Sequence, residues 1–292
     1  MQTIVAAVAA SPPGAVVDVV VNGNRALAEA MRPLITRTVA PALRLRLWFV
    51  PLGDKSHAWN AYLHRLAPPA ALYAFVDGYA RVHPCAFGSL RDALAAQPEA
   101  LAATGLPQHG WSARKVARMM LAEGGIHGNL YALTPRAVDE LRRTGYRLPL
   151  GLYRTDPTLG AALSFGLDLR ERRWEPLRGI VPVATAGWDY TALRWWHPDD
   201  LRVHFKRVER QGQGALENAA ISHWYGARKR PFASLPQTAV ELVRRWMQEE
   251  PAAAERLLAG NARARRGWQA MQQPRDWQLA TAPEELFWER QG

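Results

Sequence analysis

The sequence predicts an α/β fold, with a Rossmann-like, mostly parallel sheet flanked by helices and followed by a helical C-terminal region. Over the first half of the chain, short apolar runs typical of buried strands alternate with amphipathic runs typical of helices. Glycine, proline and asparagine separate these runs. From Gly214 onward the pattern is mainly helical. We therefore expect one domain over 1–213 and a helical extension over 214–292.

Three strands are predicted early in the chain, at 16–21, 43–50 and 72–76. Helices are expected over 1–10, over 25–34 and after Asp54, a residue type that caps helix N-termini well. Because a helix follows each of the first two strands, we expect all three strands to lie parallel in one sheet.

The later elements are predicted from breakers and caps. Thr134 and Pro135 are typical of a helix N-cap and first turn. Asp156 precedes a proline where another short helix is expected to begin. The remaining predictions are a helix over 112–122, an edge strand within 126–133, helices near 215–226, 236–248 and 251–272, and a peripheral tail over 274–292.

The composition limits the class of protein. The 292 residues include 37 lysines and arginines against 26 acidic residues, a formal charge of +11 that attracts phosphate groups. The basic residues are scattered and form no nucleic-acid motif with aromatics, so nucleic acid is not an expected partner. A single cysteine excludes an internal disulfide framework. No apolar run approaches the roughly 18–20 residues of a membrane span, and we expect a cytoplasmic protein.

Candidate site residues follow the predicted strands. Ligands of parallel sheets bind beyond the carboxyl ends of the strands, where Asn22, Asn24 and Asp77 are found. Lys55 falls in the first turn of a predicted helix, where free N–H groups favour an anion. Taken singly, Lys55 is equally compatible with a solvated lysine, and Asp77 with a turn aspartate.

Two further residues have both a chemical and a structural interpretation. Asp156 is either a functional carboxylate or the N-cap of its helix. His127, in a glycine-rich segment, is either a metal ligand or a structural histidine.

The order of these motifs resembles the nucleotide-binding half of family 2 glycosyltransferases with the GT-A fold. The matching segments are VDVVVNGN, GDKSHAWNAYL and AFVDGYARVHP, followed by GIHGNLYALTPRAVDEL and RLPLGLYRTDPTLG, and together they span roughly 1–165. Within them, Asp77-Gly78-Tyr79 lies where the family carries Asp-x-Asp. Asp156 matches the Asp of the family's Glu-Asp motif.

The resemblance implies a nucleotide-sugar donor and an acceptor hydroxyl on an unknown glycan or lipid-linked molecule, with peripheral membrane contact an added expectation. It places Asn22 and Asn24 near the base, and Lys55 and Asp77 along the nucleotide and diphosphate. Asn60 and Tyr79, from the same motifs, join the predicted donor-binding set. Asp156 becomes the base of an inverting displacement. A divalent metal, Mg²⁺ or Mn²⁺, is expected at Asp77 and His127, and positive charge at the leaving group comes from that metal, Lys55 or an arginine.

The sequence departs from the family pattern in three places. The family's opening strand has no counterpart in the chain, Tyr79 replaces the second Asp of Asp-x-Asp, and Thr155 replaces the Glu before Asp156. Tyrosine is a poor ligand for Mg²⁺ or Mn²⁺. A catalytically degenerate GT-A-like protein that binds a nucleotide or a partner is therefore the alternative prediction.

Overall fold

The computed structural model describes residues 1–37, 43–109, 112–170, 172–190 and 198–288, with the side chains of 198–209 and 288 outside the description. Eight strands are found in these ranges: β1 (Val16–Asn22), β2 (Arg44–Val50), β3 (Tyr73–Val76), β4 (Ala80–Val82), β5 (Ala102–Pro107), β6 (Leu130–Leu133), β7 (Ile180–Tyr190) and β8 (Glu284–Trp288).

Helices surround the strands and dominate the later part of the chain. The described α-helices are α1 (Gln2–Ala10), α2 (Arg25–Arg37), α3 (Lys55–Ala61), α4 (Ala86–Ala96), α5 (Ala113–Glu123), α6 (Pro135–Arg143), α7 (Thr155–Ser164), α8 (Pro176–Gly179), α9 (Pro198–Ile221), α10 (Ala239–Glu249), α11 (Pro251–Gly260) and α12 (Ala262–Met271). A π-helical turn extends α3 over Tyr62–Leu66, and another extends α9 over Ser222–Ala227. Short 3₁₀ turns lie at Phe232–Ser234 and Trp277–Leu279.

The first sheet has the order β1-β2-β8. β1 and β2 are parallel, as predicted, whereas β8 pairs antiparallel with β2. Asp18, the acidic residue inside the apolar run of β1, is stabilised by Arg46 on the neighbouring strand. Their side chains form two hydrogen bonds of 2.6 and 2.7 Å. This pairing explains how a buried strand accommodates a carboxylate.

The second sheet has the order β3-β6-β5-β7-β4. β5 and β7 are parallel, and the other three pairs are antiparallel. Residues of β6 alternate between two hydrophobic clusters: Tyr131 and Leu133 face the larger cluster, while Leu130 and Ala132 face the smaller one. Successive side chains of a strand point to opposite faces. Each face of this sheet therefore packs against one of the two hydrophobic clusters.

The α/β class, with sheets flanked by helices, is confirmed, but the strand pairing is mixed rather than mostly parallel. β3 was expected beside the first two strands and instead pairs antiparallel with β6 in the second sheet. The sequence patterns did not predict β4, α4, β5 or β7. β4, α4 and β5 lie between β3 and β6 along the chain, and β4, β5 and β7 complete the second sheet. The strand predicted within 126–133 is found as β6, but its expected edge position is wrong, because β6 lies between β3 and β5.

Tyr62 connects the two sheets. Its hydroxyl lies 3.3 Å from Asp18 Oδ2 in the first sheet, and its ring packs edge-on against Phe75 of the second sheet at 5.7 Å. Among the described strands, none lies on the second side of β1 or of β3, so both are sheet edges. The described chain thus places no strand between them.

The C-terminal region is helical as predicted until the chain returns to the first sheet. The boundary proposed at 213/214 falls inside the continuous helix α9, and the division into 1–213 and 214–292 stays a prediction. The segment over 274–292, expected to be a peripheral tail, contributes β8 to the first sheet. Within the described ranges, none of the helices combines the length and apolar character needed to cross a membrane.

Candidate active site

The candidate site lies at one edge of the second sheet. Asp77 directly follows β3, and its backbone N–H lies 3.4 Å from the carbonyl oxygen of Asn129, just before β6. β5 and β7 run in the same direction as β3, because β6 is antiparallel to both β3 and β5. The carboxyl ends of β3, β5 and β7 therefore meet at this edge.

Lys55 is the first residue of α3, and its side chain extends to this edge. Asp54 caps the helix, since its Oδ1 accepts the N–H of His57 at 2.8 Å. Lys55 Nζ lies 2.8 Å from Asp77 Oδ1, and 3.3 and 3.2 Å from the two carboxylate oxygens of Asp156. The structure thus brings together three of the predicted residues, which come from positions about 20 and 100 apart in the sequence.

Asp156 lies in the first turn of α7 rather than at its N-cap, which is Arg154. The acidic side chain is favoured there by the positive end of the helix dipole. A Cβ atom on Gly128 would lie only 2.1 Å from Asp156 Oδ2. Glycine at this position therefore allows the backbone before β6 to contact the carboxylate directly.

The charges in this group are unequal: one ammonium serves two carboxylates. Burial opposes ionisation of Lys55, but attraction from Asp156 and Asp77 outweighs it and raises the pKa of Lys55. Burial raises the pKa of Asp77, and the negative charge of Asp156 adds to this effect against the opposing attraction of Lys55. With both carboxylates ionised, the group carries a net charge of −1.

The loop before Asp156 is held from α9. Glu217 is buried, and its carboxylate accepts the backbone N–H groups of Tyr153 at 2.9 Å and Arg154 at 2.8 Å. Gln213 donates from Nε2 to Glu217 Oε1 at 2.7 Å and to the carbonyl of Gly151 at 2.9 Å. Burial raises the pKa of Glu217 to about 7, against the lowering effect of these hydrogen bonds.

Sequence reasoning missed Glu217. The available signal was its position beside Leu216 and near Ala220 on a helix, because an acidic residue among buried apolar neighbours needs hydrogen-bond partners.

Asn22 is the last residue of β1, and Asn24 lies on the turn that follows, which packs against the turn carrying Gly53. Gly23 has φ +67°, and a Cβ there would lie 2.4 Å from Gly53 Cα. Asn24 Oδ1 accepts the N–H of Leu27 at 3.0 Å and so caps α2. The predicted base-binding residues therefore flank Gly23, on a turn that contacts the one leading into α3.

Asn60 has a structural role that its motif did not indicate. It is buried in α3; its Nδ2 donates to the carbonyl of Leu148 at 2.8 Å, and its Oδ1 accepts the N–H of the same residue at 2.9 Å. Both ends of the amide are thus engaged by the backbone, and its predicted contact with the donor stays a prediction.

Tyr79 and His127 line a cavity of about 190 Å³ beside Asp77. The Tyr79 hydroxyl lies 3.3 Å from Asp77 Oδ2, and the His127 ring packs on Trp188 with centroids 4.7 Å apart. Asn129 lines the same cavity; it is 3% exposed, and its Oδ1 has no hydrogen-bond partner among the described residues. A buried acceptor without a partner is uncommon in folded proteins.

Within the described ranges, one group of three His, Cys, Asp or Glu side chains has its ligand atoms close together, namely His83, His109 and Asp189. It includes neither Asp77 nor His127. Asp77 instead has Lys55 against one oxygen and Tyr79 against the other. Both Asp77 oxygens therefore have partners in this structure, and a metal at Asp77 and His127 stays a prediction.

No family model matches the chain, and no curated protein matches its sequence. Solved structures do resemble it. The mannosyltransferase PcManGT from Pyrobaculum calidifontis, in complex with GDP-Man and Mn²⁺, has 16% identity and a TM-score of 0.46, over 90% of this chain and 86% of that one. Glucosyl-3-phosphoglycerate synthase from Mycobacterium tuberculosis, in complex with phosphoglyceric acid, has 15% identity and a TM-score of 0.37, over 67% and 77%. These likenesses are too distant to assign an activity to this chain.

Proposed function

We propose that this protein transfers a glycosyl group from a nucleotide-sugar donor to an acceptor hydroxyl, with inversion and with Asp156 as the base. The observation that carries the proposal is the Lys55 ammonium held between Asp77 and Asp156 at the carboxyl edge of the sheet. The order of motifs in the sequence supports the same assignment. A donor diphosphate is itself an anion, so it can bind the Lys55 ammonium in place of the two carboxylates.

Lys55 would bind the diphosphate. An incoming diphosphate competes with both carboxylates for the ammonium, and it also meets the free N–H groups of the first turn of α3. Engagement of Lys55 by the donor would release the Asp156 carboxylate from its ion pair. Donor binding would thereby prepare the base.

The reaction step is a direct displacement at the anomeric carbon. The acceptor oxygen forms a bond to that carbon as the bond from the carbon to the diphosphate oxygen breaks. The acceptor proton passes to Asp156, and the leaving diphosphate takes the electron pair and is stabilised by the Lys55 ammonium. Correct alignment of donor and acceptor supplies much of the rate enhancement.

Asp77 and the asparagine turn would hold the nucleoside. Once Lys55 engages the diphosphate, Asp77 can accept a hydrogen bond from a ribose hydroxyl. Asn22 at the end of β1 and Asn24 on the turn packed against Gly53 would approach the base. No step requires a metal at Asp77, whose oxygens already have other partners. The acceptor is a hydroxyl compound, for which a glycan or a lipid-linked molecule at a membrane surface is our expectation.

The proposal is tested by binding and by turnover. Nucleoside diphosphates and nucleotide sugars, including the guanosine and uridine series, are screened for thermal stabilisation, and stabilising donors are then assayed for release of the nucleoside diphosphate with panels of hydroxyl acceptors. Asp156→Asn should lower kcat by about 10²–10⁴-fold, the range for loss of a general base, while donor binding persists. Asp92→Asn, at a carboxylate paired with Arg91 on the surface of α4, is the matched control.

Three outcomes are informative. Turnover that falls in the Asp156 variant and not in the Asp92 variant supports the proposal. Donor binding without turnover in any acceptor panel favours the degenerate nucleotide-binding alternative. Equal turnover in both variants would remove Asp156 from its role as the base.

A further inference from the structure

A second group of chemically active side chains lies apart from Lys55. His83 follows β4, His109 follows β5, and Asp189 is near the end of β7. β7 pairs with β4 on one side and with β5 on the other. The central strand therefore brings together three residues that are far apart in the sequence.

The contacts in this group are close and symmetric. His83 Nε2 lies 2.8 Å from Asp189 Oδ2, and His109 Nδ1 lies 2.8 Å from Asp189 Oδ1. All three ligand atoms lie within 4.8 Å of one another. Gly187 makes room for the first histidine, because a Cβ there would lie 2.7 Å from His83 Nδ1.

We propose that His83, His109 and Asp189 bind a divalent transition metal of the class that favours imidazole ligands, such as Zn²⁺ or Co²⁺. Two imidazoles and one carboxylate suit these ions, whereas Mg²⁺ prefers oxygen ligands. Tetrahedral bonds of about 2.0–2.1 Å place ligand atoms about 3.3 Å apart. The two histidine–aspartate separations of 2.8 Å, bridged by protons, would open by about half an ångström, and the remaining separations, all within 4.8 Å, would close towards the same value.

Among the described residues, no lysine or arginine forms an ion pair with Asp189. Arg81 lies opposite Asp189 in the strand register, yet its guanidinium Nη1 is 3.4 Å from Gln2 Oε1. The other ring of the group, His109, is 79% exposed and can adjust. By contrast, Glu249 also bonds a histidine but has Arg228 and Arg230 within 3.5 Å, so positive charge already fills its surroundings.

The proposed metal would lie close to the candidate active site without being part of it. His109 lines the cavity that Tyr79 and Asn129 also line. Three protein ligands leave one position of a tetrahedral ion for water or for an anionic oxygen of a molecule in that cavity. The metal proposal does not depend on the proposed glycosyl transfer, because the metal alone is the probe.

The test measures metal binding directly. The purified full-length chain, stripped with a chelator, is titrated with Zn²⁺ by calorimetry and with Co²⁺ by visible ligand-field absorption. We expect saturable binding of one ion with the intense absorption of a tetrahedral cobalt site. Asp189→Asn should weaken binding at least tenfold, because even partners of metal ligands contribute about 10–100-fold to affinity. The double variant His83→Ala/His109→Ala should abolish this site.

The matched control is His57→Gln, since His57 lies outside the group and its ring bonds the carbonyl of Thr281 at 3.0 Å. Circular dichroism verifies that each variant is folded, and if the double variant is not, Asp189→Asn decides the matter. Unchanged binding in the folded Asp189 variant, or no saturable binding by the wild-type chain, would overturn the proposal and leave a histidine–aspartate hydrogen-bond network.

Discussion

Two ion clusters of this protein use their charges in opposite ways. Near the carboxyl edge of the second sheet, Lys55 is shared by two carboxylates, those of Asp77 and Asp156. Between the C-terminal helices, the Glu249 carboxylate contacts two guanidinium groups, those of Arg230 at 2.7 Å and Arg228 at 3.5 Å. The first cluster has excess negative charge around one cation, and the second has excess positive charge around one anion.

The pKa values of the carboxyl groups follow this difference. Burial and the nearby Asp156 raise the pKa of Asp77 despite its contact with Lys55. Hydrogen bonds from His223 and Arg230 lower the pKa of Glu249 to about 2. The Glu249 cluster is therefore electrostatically satisfied and stabilises the fold, whereas the Lys55 cluster keeps unbalanced charge where a ligand can use it.

Loss of the shared cation should have the largest effect. Lys55→Met removes the charge that the donor diphosphate would bind, at a cost of about 1.5–3 kcal/mol for a hydrogen bond to a charged group. We expect Kd for a nucleoside diphosphate to rise about 10–150-fold. It also leaves two carboxylates without their counter-ion, which should raise the pKa of Asp77 further. Calorimetric titration with the nucleoside diphosphate identified in the screen measures the change.

Lys115→Met is the control for Lys55, because Lys115 is an exposed lysine on α5 and its loss changes the net charge equally. If both variants bind the nucleoside diphosphate equally well, the Lys55 cluster differs from the Glu249 cluster only in charge, and not in function.

Glu217 shares one feature with each cluster. Its pKa is raised, like that of Asp77, and its role is structural, like that of Glu249. Glu217→Gln replaces one acceptor oxygen with an NH₂ group, which leaves a backbone N–H of the 153–154 loop unpaired. We expect a loss of about 1–3 kcal/mol in the free energy of unfolding at pH 5 and a lower kcat, since Asp156 follows this loop.

The pH dependence gives a second test of Glu217. Its pKa is raised from 4.5 to about 7, so the stability it contributes is complete below pH 4.5 and is lost as the pH rises through 7. Chemical denaturation between pH 4 and 8 should therefore show the wild type losing more stability than Glu217→Gln over that range. Glu255→Gln, at an exposed glutamate on α11, is the matched control for this profile.

The sequence predicted local structure better than pairing. Asp54 and Thr134 cap their helices as predicted, because capping depends on residues three positions away. β3 and β6 were assigned to the wrong surroundings, because strand pairing depends on elements far away in the chain. β7 was missed altogether: Pro182 and Gly187 lie inside it, and such residues ordinarily argue against a strand.

The candidate site was predictable where a motif placed a charged residue at the end of a strand. Asp77 was found in this way, whereas Lys55 and Asp156 were found at the starts of predicted helices, and the three residues do converge. Asn60 carries the same motif signal, but its amide is taken by the backbone of Leu148, a contact across 88 positions. His83, His109 and Asp189 form no sequence motif, because their proximity arises only from the pairing of β7 with two other strands.

Glu249→Gln should have the smallest effect, and its pH dependence should be opposite to that of Glu217. Because the pKa of Glu249 is lowered from 4.5 to about 2, its contribution to stability is complete above pH 4.5 and is lost as the pH falls towards 2. For a partly exposed ion pair we expect a loss of about 1 kcal/mol or less in the free energy of unfolding at pH 7. Denaturation curves should show this difference shrinking below pH 4.5, with exposed Glu255→Gln on α11 unchanged from wild type. A difference that grows on acidification would mean that the Glu249 cluster is not satisfied by its cations, and the contrast with the Lys55 cluster would fail.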